Sequence, residues 1–253
     1  MRTIGYAVFL AIFVIAGTAF AQTLTVYTEE FAPYNFTEGN KLVGVSTEVV
    51  ETVLKKAGLH YEMVSYPWAR TYKLAAERPN SLIFSISRRP KRETTFKWIG
   101  VITPSRHSVF ALKSRIDIKI EKIDDLKKYT IGTTIGDARE TYLLENGFLA
   151  SDLQRVAGKT ANLQNYERLK LGRIDVWPMS EANVYYVVKK TGDDPDTQIR
   201  KVFLFEEMSK EGYYIASSLQ TSDDIVRRLR ETLEEFKNTT EYQQILKKWH
   251  LQP

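Results

Sequence analysis

Cysteine is absent from the 253 residues, and histidine occurs only three times. Without a thiol there is no disulfide, no lipoprotein anchor and no cysteine nucleophile, so the fold must rest on packing alone. His60, His107 and His250 stand in no metal-ligand spacing, which leaves no candidate zinc site and no metal residue. The chain also lacks a Gly-x-Ser-x-Gly elbow and a Gly-x-x-x-x-Gly-Lys phosphate loop, so no catalytic residue and no cofactor is predicted. Neither sign of charge dominates: 36 Lys and Arg stand against 31 Asp and Glu, interleaved along the chain. With no basic face or arginine-rich arm, a nucleic-acid partner has no footprint here.

Long apolar runs are confined to the first 21 residues. Arg2, the apolar stretch Ile4 to Ile15 and the small-x-small pattern Ala19-Phe20-Ala21 read as a secretory signal peptide cleaved after Ala21. The alternative, an uncleaved anchor, suits the short run and the cleavage pattern less well. Loss of Arg2 leaves 35 basic against 31 acidic residues, a mild excess. No later segment approaches membrane-spanning length. The expectation is a free periplasmic monomer.

What is present is a regular alternation of strand and helix. Leu24-Thr25-Val26-Tyr27 alternates as a strand, and Thr28 to Tyr34 follows as an acidic, aromatic and proline-bearing turn. After Gly44, the residues Val45, Val49, Val53, Leu54 and Ala57 recur at helical spacing up to the capping Gly58. Tyr61 to Tyr66 reads as a second strand. Pro67-Trp68 opens a helix that ends at Pro79-Asn80, and Leu82 to Ser87 is a buried strand. Ser108 to Lys113 is a strand taken as a crossover. A second series begins at Thr130-Ile131-Gly132-Thr133, with a turn at Ile135 to Ala138 and helices at Arg139–Asn146, Asn162–Leu171 and Glu181–Lys190. The acidic loop at Asp193 to Asp196 lacks calcium-loop spacing and reads as a solvated turn. Two amphipathic helices, Asp223–Lys237 and Glu241–Trp249, finish the chain and are expected to pack on the first half. Such an alternation implies a mostly parallel sheet flanked by helices, with ligand at the carboxyl ends of the strands.

At one such end sits Ser87-Arg88-Arg89-Pro90-Lys91-Arg92, where Arg92 offers a planar fork of donors suited to a carboxylate. A solvated loop, or a salt bridge that holds the turn, is the plainer reading of the same residues. Phe31, Tyr34 and Trp68 are equally open to core packing, and Arg70 reads as a surface helix residue.

Several motifs in order carry a resemblance. Phe31-Ala32-Pro33-Tyr34, Gly44 with its helix, Pro90-x-Arg92 with Phe96-x-Trp98, Asp124-Asp125-Leu126, Ile131-Gly132 with Gly136, Leu171 to Asp175 and Tyr242 to Trp249 together resemble the bacterial extracellular solute-binding proteins of family 3. The resemblance spans about residues 23 to 251. It implies the two-lobed α/β periplasmic binding protein fold (type II), each lobe a mostly parallel sheet flanked by helices, with two crossover strands as hinge. It divides the chain into signal peptide 1–21, lobe one 22–110 plus 210–253, and lobe two 111–209. It further implies that Phe31 stacks on a ligand, that Glu30 and Trp68 line the cleft, that Ser87 hydrogen-bonds the ligand and that Arg92 grips its carboxylate. Asp137 and Ala138 fall where the family offers a hydroxyl and backbone N–H groups. Ser180 falls where it offers an acidic partner for an α-ammonium.

Two of those positions depart from the family. Asp137 sets a negative charge where a carboxylate would dock, and its plainer role is to cap the following helix. Ser180 removes the ammonium partner, and Glu181, one helical step on, faces about 100° away. The implied function is capture of a small polar, carboxylate-bearing solute for a membrane ABC permease. The alternatives are a periplasmic sensor that presents its ligand to a membrane receptor, and a dehydratase-like enzyme using Glu30, Asp137 or Glu181 as acid or base.

Overall fold

The computed structural model describes residues 23–249 and 251. The expected signal peptide at 1–21 and His250 lie outside the described residues. The chain runs β1 (Leu24–Thr28), β2 (Phe36–Glu38), β3 (Lys41–Val43), α1 (Val45–Lys56), β4 (Tyr61–Ser65), α2 (Trp68–Glu77), β5 (Ser81–Ile86), β6 (Phe96–Thr103) and β7 (His107–Leu112). It continues with β8 (Ile131–Thr134), α3 (Ala138–Glu145), β9 (Leu153–Val156), α4 (Ala161–Lys170), β10 (Trp177–Ser180), α5 (Glu181–Lys190), α6 (Pro195–Gln198), β11 (Ile199–Leu204), α7 (Glu206–Ser209), β12 (Tyr213–Ser218), α8 (Asp223–Lys237) and α9 (Thr240–Lys248).

One sheet has the order β4-β1-β5-β12-β6. Its β4, β1 and β5 run parallel, and β12 lies antiparallel between β5 and β6. A second sheet, β10-β7-β11, is antiparallel, and the parallel pair β8-β9 joins it through a bridge from Ile131 to Val176. The expected parallel runs are therefore present, and an antiparallel strand lies within each sheet. Because β7 pairs wholly in the second sheet, the chain passes between sheets over Pro104–Arg106 and returns over Lys210–Gly212.

The central strand β5 is buried at every position, as its apolar run requires. Ser85 within it has φ 58°, a left-handed value that is rare outside glycine, and the pairing of β12 with β5 shifts register between Tyr214 and Ile215. This irregularity bends the end of the strand into the Ser87–Arg92 turn. Around the first sheet, α1, α8 and α9 contribute Val49, Val53, Leu229, Leu233, Phe236 and Leu246 to one core with Leu24, Val26 and Leu82. The two last helices thus pack where their apolar stripes predicted. A separate core, including Val109, Ile131, Leu143, Val176 and Phe205, supports the second sheet.

Gly44 fixes how α1 begins. Its φ is 119°, and a Cβ there would overlap the Tyr34 carbonyl oxygen, so only glycine fits. The first N–H groups of the helix are satisfied by the chain it abuts: Val45 N donates to Pro33 O at 3.1 Å and Ser46 N to Tyr34 O at 2.8 Å. Gly44→Ala is expected to cost about 3 kcal/mol, through backbone strain and loss of these bonds. That corresponds to a Tm lower by about 6–12 °C in a thermal melt.

Candidate functional site

Segments from both sheets meet at the carboxyl ends of the parallel strands: Glu29–Tyr34 after β1, Ser87–Arg92 after β5, and Ile135–Arg139, which links β8 to the first turn of α3. Side chains bridge the crevice directly. Trp68 donates its Nε1–H to Gly136 O at 2.7 Å, and Arg92 donates to Gly136 O at 3.3 Å. Asn183 donates to Ala32 O at 2.6 Å, and the hydroxyls of Tyr34 and Ser180 lie 3.2 Å apart.

Arg92 is 4% exposed and faces this crevice. Its guanidinium donates to Ser87 O at 3.0 Å and lies 5.2 Å from the Trp68 ring centroid and 5.5 Å from that of Tyr72. Burial pushes its pKa down to about 10, with Tyr72 and Asp137 acting in the opposite direction. Its hydrogen bonds go to main-chain carbonyls. The salt bridge that holds the turn belongs instead to Arg88, whose Nε and Nη2 each meet Glu93 at 2.8 Å.

Asp137 takes the plainer of its two expected roles. Its Oδ1 accepts from Arg139 N and Glu140 N at 2.8 Å each, capping α3, while Oδ2 accepts from the Arg139 guanidinium at 2.9 Å. The negative charge is thereby matched within its own loop. Ala138 opens that helix and is buried. Ser180 is fully buried with its hydroxyl against Tyr34, a neutral contact where the family pattern has an acid.

Phe31 is 2% exposed and stacks on Tyr34 at 5.0 Å, with the Tyr213 ring edge-on at 5.2 Å. Its ring also lies 5.6 Å from the Arg139 guanidinium, so it borders the crevice while packing in the core. Ser87 is buried at the turn. Arg70, over the Tyr66 ring at 4.0 Å, is the surface helix residue its spacing suggested.

Glu30 is anchored within its own half, while the charge of Lys159 from the other half also acts on it. Its carboxylate accepts from Thr37 N and Thr37 Oγ1 at 2.8 Å and from Ser65 Oγ at 2.6 Å, which ties the hairpin β2-β3 to β4. Burial acts to raise its pKa, and those three bonds outweigh it and lower it. Its neighbour Glu29, which spacing did not single out, faces inward. Burial raises the Glu29 carboxyl to about 8; Arg139 and Arg92 oppose the shift, and Asp137 and Glu30 add to it. Glu181, the other acid considered, is held by Ser108 at 2.7 Å and Lys201 at 3.1 Å.

Arg139 and Glu29 are the site residues that sequence patterns missed. One available signal was alternation: Glu29 and Glu30 follow a strand, so only one of them can face in. Nothing in helical spacing marks Arg139.

Comparison with known proteins supports the same reading of the whole chain. The chain is 28% identical to the octopine-binding periplasmic protein of Rhizobium meliloti over 218 residues, covering 76% of this chain and 72% of that protein. It is 22% identical over 227 residues to the arginine-binding extracellular protein ArtP of Bacillus subtilis (strain 168), covering 87% and 82% of the two chains. A solved histidine kinase sensor domain with similarity to periplasmic binding proteins shares the fold, with TM-score 0.79 and 20% identity over 92% of this chain and 98% of that one. A family model described as bacterial extracellular solute-binding proteins, family 3, matches residues 24–252, and to that family this chain belongs.

Proposed function

We propose that the protein captures a small carboxylate-bearing solute in the crevice between two lobes and delivers it to a membrane ABC permease. The observation that carries this reading is Arg92: a buried guanidinium at a strand end, its donors meeting only carbonyls. A buried cation whose donors meet no carboxylate is costly, and an anionic guest offsets that cost. The lobes divide near Pro104–Arg106 and Lys210–Gly212, so that lobe one ends near residue 103 rather than 110. Residues 1–21 direct export to the periplasm, where the mature chain acts as a monomer.

Thermal-shift screening of the mature protein against a library of polar carboxylates and amines tests the reading. A ligand at a hundred times its Kd adds about 2.7 kcal/mol, which raises Tm by about 5–11 °C in a chain of this size. Mass spectrometry of the recovered ligand is expected to show it unchanged, since binding rather than turnover is proposed. Absence of a shift with every carboxylate overturns the assignment.

A sensory role is the second reading, favoured by the fold shared with the histidine kinase sensor domain. Deletion of the gene separates the two: loss of labelled-solute uptake supports transport, and intact uptake with a silenced response supports sensing.

A further inference from the structure

The crevice already contains a guanidinium in the setting that would recognise one. Arg139, 5% exposed, is ion-paired to Asp137 at 2.9 Å and lies 5.6 Å from the face of Phe31. An aromatic face and a carboxylate are the two groups that bind a guanidinium or ammonium ligand. Here the chain's own side chain uses both. A cationic guest would have to expel Arg139 or sit beside a like charge.

The remaining groups lean toward a guest of the opposite sign. Arg92 and Arg139 are both buried, and Asp137 is ion-paired to one of them. Arg89, half-buried over the Tyr142 ring at 5.2 Å, adds a third guanidinium to this side of the crevice. Two buried donors of these guanidiniums have no partner among the described residues: Nε of Arg89 and Nε of Arg139. Unmet buried donors are uncommon and point to an acceptor that belongs there. Burial raises the pKa of Glu29 to about 8, so at neutral pH this acid is mostly uncharged and leaves the positive excess in place.

We propose that Arg139 is the specificity-determining residue of the crevice: it occupies the place of a cationic side chain and offers its Nε to a second carboxylate. The guest is then a small dicarboxylate bridging Arg92 and Arg139, and compounds with a guanidinium or ammonium side chain are rejected. This rests on the reading of the crevice as a solute site.

Isothermal titration of the mature protein with succinate, glutarate, a monocarboxylate (propionate), arginine and agmatine tests the proposal in three forms: wild type, Arg139→Ala and Arg139→Met. The methionine variant keeps the length and apolar packing of the side chain, so a folded sample is secured if alanine leaves too large a gap. Wild type is expected to bind a dicarboxylate at least tenfold more tightly than arginine. Loss of a charged hydrogen bond should weaken dicarboxylate binding in the variants by about tenfold to a hundredfold. The freed Asp137 and Phe31 should bring arginine or agmatine binding up, so the selectivity inverts. A merely structural role for Arg139 would lower all affinities together, and that result overturns the proposal. Wild type that prefers arginine, or that binds propionate as tightly as succinate and glutarate, also overturns it while leaving the crevice a solute site. Binding of no carboxylate at all overturns both.

Discussion

Arg92→Ala is expected to weaken carboxylate binding by more than a hundredfold while moving Tm by less than about 4 °C. The two effects separate because of what the side chain touches. A buried guanidinium facing a carboxylate contributes on the order of 3 kcal/mol or more when truncated, and 1.4 kcal/mol is a factor of ten. Toward the fold, however, its donors go to the carbonyls of Ser87 and Gly136, and Gly136 O keeps its bond from Trp68. Removing a desolvated charge also removes its burial cost, which offsets the lost contact with the Trp68 and Tyr72 rings. Arg92→Lys should not restore affinity. A single ammonium cannot serve two carbonyls and a carboxylate with the geometry of a planar fork. Titration calorimetry beside a thermal melt reads both quantities, and an affinity within threefold of wild type would remove Arg92 from the site.

The second large effect is one of pH. The Glu29 carboxyl, raised from 4.5 to about 8, holds a proton in the folded chain that the unfolded chain gives up across that interval. Its contribution is therefore fully present below pH 4.5 and is lost as pH rises through 8. Each unit is worth about 1.4 kcal/mol, so the loss between pH 5 and pH 8 is at most about 4 kcal/mol. Glu29→Gln keeps the volume and stays neutral, and should hold its stability over the same range. The charged groups facing this carboxyl are Arg139 and Asp137 from the start of α3, Arg92 from the turn after β5, and Glu30 beside it. His107, whose pKa burial pushes well down with Arg139 and Arg89 adding to the shift, loses stability in the other direction as pH falls. That slope is common to both proteins and cancels in the difference. Melts of the pair from pH 5 to 9 should diverge by about 10 °C at the alkaline end. A constant gap would show that Glu29 is ionised throughout.

Much of this molecule could be read before its coordinates. The bounds of α5 and α8 match their spacing to the residue, because each starts at a turn signal and carries an apolar stripe with no competing period. The strand β6 escaped notice. Phe96 to Trp98 reads as the end of a cationic turn, and Gly100 interrupts the β-formers. That glycine answers to packing rather than to strand propensity: a Cβ there would meet Leu233 Cδ2 at 2.8 Å, so it lets α8 lie close on the sheet. Phe31, Trp68, Arg92, Asp137 and Ser180, the residues of the proposed site, lie near strand or helix ends, where position along the chain predicts position in space. The rest depends on which groups meet across the crevice. Neither the anchoring of Glu30 by Thr37 and Ser65 nor the pairing of Asp137 with Arg139 leaves a periodic trace.

Three of the contacts that join the walls of the crevice share one construction. Trp68, Arg92 and Asn183 each reach across with a side-chain donor, and each finds a main-chain carbonyl, at Gly136 or Ala32. No amino-acid exchange deletes a carbonyl. For these three contacts the receiving atom belongs to the backbone, so the heritable control over them lies in the donors, beside the side-chain pair of Tyr34 and Ser180. Tuning of these contacts in descendants of this gene should accordingly be written at 68, 92 and 183, with 32 and 136 carrying the marks only of local backbone shape.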